Sequence, residues 1–299
     1  MKKVLFATTA LVATAGMAAA DVSFGGYGRF GLFYDEGQAD ETRIEQRFRL
    51  TITGTATADN GVEFEGRIRF QTDENAAGAS NIARRSAAGF AVTAGGFRLD
   101  VGHVSDVVDS GDVLDYYGYG VGLTSFAEQS SGFGIPASGF GVSNDDALIA
   151  PTVKLRYSAG DFTVAASYTD DSTGGEEYQI GLGYNFGNYS AGIAFGNEDA
   201  TDNDFVVAQF GGEIGAFGFS ILVADEDNTA DTMYGVSAKY DVGAATEIRF
   251  VYSDNGTNAD ETVAIGFRHG LGGGVSLRGG VGQNNAGNTI ADLGVIFNF

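Results

Sequence analysis

Nine of the thirteen arginines that follow residue 20 fall between Arg29 and Arg98, and several sit two residues apart, Arg47 with Arg49 and Arg67 with Arg69. Residues two apart on an extended chain share a face, so this spacing gathers guanidinium groups on one side of a sheet. After Arg98 no Lys or Arg occurs until Lys154, and the interval holds Asp106, Asp109, Asp112, Asp115, Glu128, Asp145 and Asp146. Asp106, Asp109, Asp112 and Asp115 recur at every third residue, a spacing that lines one face of a short helical turn. So arranged, Asp109, Asp112 and Asp115 could ligate a hard cation such as calcium, which takes about six to eight oxygens. The same carboxylates could instead simply pair with arginines. Two oppositely charged segments brought face to face set up a transverse field, which is electrostatics suited to steering ions.

Other chemistries find little support. The chain has no Cys, which removes disulfides, zinc fingers, Fe–S clusters and cysteine nucleophiles together. His103 and His269 are the two histidines, and neither lies in an acyl-transfer motif, so a membrane hydrolase is a minor alternative. Gly26-Tyr27-Gly28-Arg29-Phe30-Gly31 fits G-x-G-x-x-G, but no helical pattern follows it; glycine in a strand more simply marks a bend or a close approach. The net charge of −22 is opposite to what binding a nucleic-acid backbone needs and argues against nucleic acid as a partner. A hydrophobic fraction of 43% excludes an acidic disordered polymer.

Lys2 and Lys3 precede an apolar run from Val4 to Met17 and the small-residue site Ala18-Ala19-Ala20, the pattern of a cleaved export signal over residues 1–20. Its removal takes the charge from −22 to −24. In the remaining chain, 21–299, alternating apolar residues recur in segments of about ten, as in Tyr178, Ile180, Leu182, Tyr184 and Phe186, or Val263, Ile265 and Phe267. Gly-rich turns near Gly160, Gly187, Gly215, Gly243 and Gly272 alternate with acidic tips around Asp171, Asp199, Asp227, Asn255 and Asn285. An even number of strands, about sixteen, with short turns at one end and longer loops at the other, predicts an all-β transmembrane antiparallel up-and-down barrel. Phe and Tyr near strand ends read as interfacial girdles.

Charge position tests that architecture. Thirteen of the fifteen basic residues after residue 20 lie opposite the apolar face of their strand; Arg84 and Arg85 are adjacent, so on a strand one of them must point inward. A Lys or Arg facing lipid at mid-bilayer costs roughly 2 to 4 kcal/mol, so the polar face is the inside and the lumen holds water. The third loop, 104–150, lacks alternation and carries Tyr116, Tyr117, Tyr119, Phe126, Phe133 and Ile135 among its acids, which predicts that it folds inward against the wall.

Three stretches carry a resemblance: Val22-Ser23-Phe24-Gly25-Gly26-Tyr27-Gly28-Arg29-Phe30-Gly31-Leu32, Arg47-Phe48-Arg49-Leu50-Thr51-Ile52-Thr53-Gly54-Thr55, and the end Ala291-Asp292-Leu293-Gly294-Val295-Ile296-Phe297-Asn298-Phe299. With the long third loop, they resemble the general porins of Rhodobacter-type alphaproteobacteria. The resemblance implies a trimer of sixteen-stranded barrels in the outer membrane of a Gram-negative bacterium, passing small hydrophilic solutes by diffusion. It implies a constriction between wall arginines, here Arg29, Arg47, Arg49, Arg67, Arg69 and Arg98, and loop acids, here Asp106, Asp109, Asp112 and Asp115, where similar porins can hold calcium. It also implies that Phe299 is the signal read by the barrel assembly machinery.

The expected function is therefore a weakly cation-selective diffusion channel that needs no cofactor and has no enzymatic activity. The acidic tips are solvated or bridge through divalent cations to anionic lipid such as lipopolysaccharide. An adhesin using the barrel as an anchor is the first alternative, and loops of modest length outside the third count against it.

Overall fold

The structure is a computed structural model that describes residues 20–74, 78–142, 149–171, 175–257 and 260–299. The expected leader, apart from Ala20, lies outside the described residues, as do Asp145 and Asp146. The chain folds as β1 (Ala20–Asp35), β2 (Thr42–Thr57), β3 (Glu63–Asp73), β4 (Arg84–Arg85), β5 (Gly89–Ala94), β6 (Phe97–Gly102), β7 (Thr152–Ala159), β8 (Phe162–Asp171) and β9 (Gly175–Phe186). It continues through β10 (Tyr189–Glu198), β11 (Asn203–Ile214), β12 (Phe217–Glu226), β13 (Met233–Asp241), β14 (Thr246–Asp254), β15 (Thr262–Gly272), β16 (Val275–Gln283) and β17 (Thr289–Asn298). The short β4 and the longer β5 pair with successive parts of β3, so the two form one wall strand and the wall has sixteen. Each strand pairs antiparallel with its neighbours in sequence, and β1 pairs with both β2 and β17, closing the ring. Closure leaves no ladder edge, the condition for a sheet to sit in hydrocarbon. Phe299 completes the seam: its N–H donates to Gly26 O, its carbonyl accepts from Gly26 N–H, and its ring stacks on Phe48.

The period of two sorts side chains as expected. Phe24, Phe30, Leu32, Ile44, Phe48 and their counterparts around the ring are exposed on the outside, while the arginines opposite them are half-buried inside. Arg84 points inward to Asp73, and Arg85 lies opposite the outward Phe70. At the short-turn end, Phe162, Tyr184, Phe186, Tyr189, Phe210 and Phe219 form a run of neighbouring rings with centroids 4.3 to 6.5 Å apart, an aromatic girdle of the kind that sits at a membrane interface.

The core lies inside the barrel, where the sequence predicts water. The segment between β6 and β7 enters the lumen and packs Val107, Val108, Val113, Leu114, Tyr116 and Ile135 against Phe205, Val207, Leu222 and Met233 on the inner wall. Farther round the ring, Val121 and Ala127 pack on Val251 and Ala264. Each fully buried Val or Leu contributes about 1.5 to 3 kcal/mol, more than an exposed ion pair, so packing seats the loop. Glycines make the close approach available: a Cβ at Gly183 would meet the Val113 backbone at 2.6 Å.

Candidate functional site

The loop packs along the inner wall from β8 round to β1 and meets the arginine-rich wall of β1 to β7 at Arg67 and Arg69 on β3 and at Lys154 and Arg156 on β7. On that wall most arginines are paired in place. Arg29 Nε donates to Glu45 Oε1 at 2.5 Å, and Asp73 accepts from both Arg47 and Arg84. Arg49 donates to Gln71, and Arg98 reaches Asp100 at 3.0 Å and Glu65 at 3.3 Å. These acids share strand and parity with the arginines, at spacings of two such as Glu65 and Arg67, or Arg98 and Asp100, so the pleat that identifies the arginines also identifies them. The wall thus carries much of its own counter-charge, a feature that reading the loop alone as the acidic partner misses.

Arg67 and Arg69 are held differently. Their guanidinium carbons lie 4.3 and 4.6 Å from the centroid of the Phe140 ring, and Arg69 also donates to the Phe140 carbonyl. Cation–π contact satisfies a guanidinium without cancelling its charge, so this part of the wall remains electropositive. With Arg49, Ser105, Asp109 and Gly139 to Gly141 these residues line an open cleft of about 500 Å³.

The four loop acids have four different fates. Asp109 faces the cleft, with its Oδ1 accepting from Tyr117 Oη at 2.5 Å. Asp112 pairs with Lys154 Nζ and Arg156 Nη1, each at 2.6 Å, on β7. Asp106 is fully buried and turns back into the loop, accepting from the backbone N–H groups of Asp109 and Ser138. Asp115 is exposed and accepts from Gly118 N–H at 2.9 Å. The expected shared face fails because residues 107–110 form a turn, not a helix, and Gly111 at φ 70° swings the chain before Asp112. Asp109, Asp112 and Asp115 accordingly do not converge into a calcium site, and among the described residues no three His, Cys, Asp or Glu side chains form a metal-holding group.

Burial sets the titration of the loop. It raises the Asp106 carboxyl to about 8 against two backbone hydrogen bonds, and raises Glu128 to about 7, helped by the charge of Asp115. Burial also acts on Asp112, but the Lys154 charge and hydrogen bonds from Lys154 and Arg156 outweigh it and hold that carboxyl below its usual range. His103 meets the loop backbone at Gly139 and Gly141, and His269 meets Thr246. Among the described residues neither is hydrogen-bonded to a serine or a carboxylate.

The far end of the loop is latched by Asp292 on β17, which accepts from Leu123 N–H, Thr124 N–H and Thr124 Oγ1 at 2.8 to 2.9 Å. Removing a charged acceptor from buried donors costs roughly 1 to 3 kcal/mol. Asp292→Ala is therefore expected to leave the barrel assembled but make the open channel noisier and lower the voltage at which it closes; single-channel recordings check this.

A closed antiparallel barrel with an apolar belt outside, a charged lumen inside and a loop narrowing that lumen is a water-filled outer-membrane channel, crossing the bilayer many times. The chain belongs to the Gram-negative porin family, whose model matches residues 7–289. It is similar to the porin of Fuscovulum blasticum, at 30% identity over 299 residues, and to that of Rhodobacter capsulatus, at 28% over 319 residues; each match covers 93% of this chain and 100% of the relative. Solved structures of Rh. blastica porin variants superpose with TM-scores of 0.81 and 0.82 at 27% identity, covering 93% of this chain and all of theirs.

Proposed function

We propose that this porin passes small hydrophilic solutes and ions by passive diffusion with a weak preference for cations, and that it does so without enzymatic activity or a required metal. The single observation that carries the ion preference is the pairing of Arg29, Arg47, Arg84, Arg98 and Arg249 with acids on the wall itself. With those cations compensated, the excess of negative charge at the loop tips and on the loop governs the mouths. The leader at residues 1–20 would direct export, and the functional unit would be the homotrimer that the family resemblance implies, assembled through the terminal Phe299 and settled among outer-membrane lipid and lipopolysaccharide.

The test is a planar bilayer under a KCl gradient. The reversal potential should have the cation sign at low salt and shrink as salt screens the mouths; anion preference at low salt overturns the reading. The preference should also grow with pH. Asp106 and Glu128 are carboxyls with raised values, so they are largely neutral below about pH 6 and gain charge as pH passes through about 7 to 8. Chelating divalent cations should leave the conductance unchanged, and liposomes containing the protein should swell in small sugars.

A further inference from the structure

A second group of arginines lies away from the constriction, on the inward face of β14 to β16. In the sheet register Glu247 lies opposite Arg268, and Arg268 lies directly opposite Arg278. Like charges in direct cross-strand opposition are destabilising, and the local acid does not offset them. Glu247 is committed to Arg249, with its Oε1 2.6 Å from Nη2 and 2.7 Å from Nε, and it stands 3.9 Å from Arg268 Nε. Arg249 is satisfied further by donating to Gly120 O at 3.1 Å. Arg278 Nε donates to the neutral Ser276 Oγ at 3.0 Å, and Arg268 Nε is buried without a hydrogen-bond partner.

These two guanidiniums open onto a cleft of about 460 Å³ that also takes in Ser276, Thr246 and the turn at 243–245. On the side away from the turn, the loop's Val121 fills the space beside Gly266 and Gly280, one inward position from Arg268 and Arg278 on their strands. The cleft extends to the turn at 243–245 and so lies toward the short-turn end, which is periplasmic in outer-membrane barrels. The remaining acids nearby are Asp241 on the rim, which stands 3.9 Å from Lys239, and Glu128 on the loop above.

We infer that Arg268 and Arg278, with Ser276, form a subsite for phosphate-class oxyanions at the periplasmic end of the lumen, separate from the arginines of the constriction. Paired planar guanidinium forks suit a tetrahedral oxyanion, whose charge would relieve their mutual repulsion. In a channel whose mouths favour cations, such a site would hold back an oxyanion on the periplasmic side.

The inference rests on the open-channel reading, and one experiment separates the two. Full-length protein is inserted with known orientation into planar bilayers in KCl, and inorganic phosphate is added to one side at constant ionic strength. KCl conductance before addition establishes the channel; its absence sinks the channel reading and not the subsite alone. Phosphate from the short-turn side should lower the conductance saturably, at a concentration roughly tenfold below that needed from the loop side. Arg268→Gln with Arg278→Gln should erase that difference, and Arg268→Lys, keeping the charge but losing the fork, should fall between. If the double variant does not insert, Arg278→Lys alone must still shift the half-effect concentration. Equal effects from both sides in the parent, or an unchanged side dependence in the variants, overturns the proposal.

Discussion

Excising the loop from Val107 to Phe140 and rejoining its ends with a short polar linker is expected to raise single-channel conductance about twofold or more, since conductance follows the width and lining of the narrowest segment. The loop lies across the lumen from β8 to β1, and its outward contacts are with wall side chains. Asp106 and Ser138 join the outgoing and returning arms through a hydrogen bond, so the segment behaves as a folded insert. Without it the charged wall of Arg47, Arg49, Arg67 and Arg69 would face the full bore. The barrel should still assemble, because the ladders close through β1 and β17 and the apolar belt meets lipid independently of the loop. Stability should fall, however, because excision exposes Phe205, Val207, Leu222 and Met233 to water and discards the buried Val107, Val108 and Val113. Conductance and the temperature at which the barrel loses its gel mobility would be measured together. Unchanged conductance with an intact barrel would place the constriction elsewhere.

The same inner packing shows how far the residues alone could be read. Alternation was legible because lipid on one side and water on the other force opposite chemistry onto the two faces of each strand, and this locates the strands, the closure and the inward arginines. What it cannot separate is water from protein on the inner side. The clue present is the breakdown of alternation in Phe205-Val206-Val207, Ile221-Leu222-Val223 and Phe250-Val251-Tyr252, where both faces are apolar because both are covered, as in sheets packed on two sides. The inward course of the third loop followed from its aromatic content. Its detailed aim did not, because a turn and a glycine at positive φ between Asp109 and Asp112 destroy the three-residue period. Phe140 seated between Arg67 and Arg69, and Asp292 holding the loop tip, join positions far apart in the chain, which no local spacing encodes.

Separating two adjacent acids of the loop should separate the two jobs it performs. Asp109→Asn removes charge from the cleft of Arg49, Arg67 and Arg69, but the amide oxygen can still accept from Tyr117, so the loop stays seated and cation preference falls or reverses. Asp112→Asn leaves Lys154, whose side chain is 6% exposed, without the carboxylate that neutralises it. Breaking a buried pair from one side costs about 3 to 5 kcal/mol, here toward the lower figure because Arg156 is one-third exposed and because Asp100, opposite Lys154 on β6, offers a second-best partner. That variant should show frequent closures and a lower voltage threshold with a smaller change in ion preference. The pH dependence follows from the sign of the shift. Asp112 sits below its usual value, so its anchor is complete above about pH 4 and is lost as pH falls through that lowered value. The parent channel should thus become noisy only in acid, whereas the Asp112→Asn channel is noisy throughout. Reversal potentials and open-channel noise, recorded on both variants across that range, decide the matter: if the two substitutions change selectivity and noise in the same proportion, Asp112 is not the anchor and the loop is held by its apolar contacts alone.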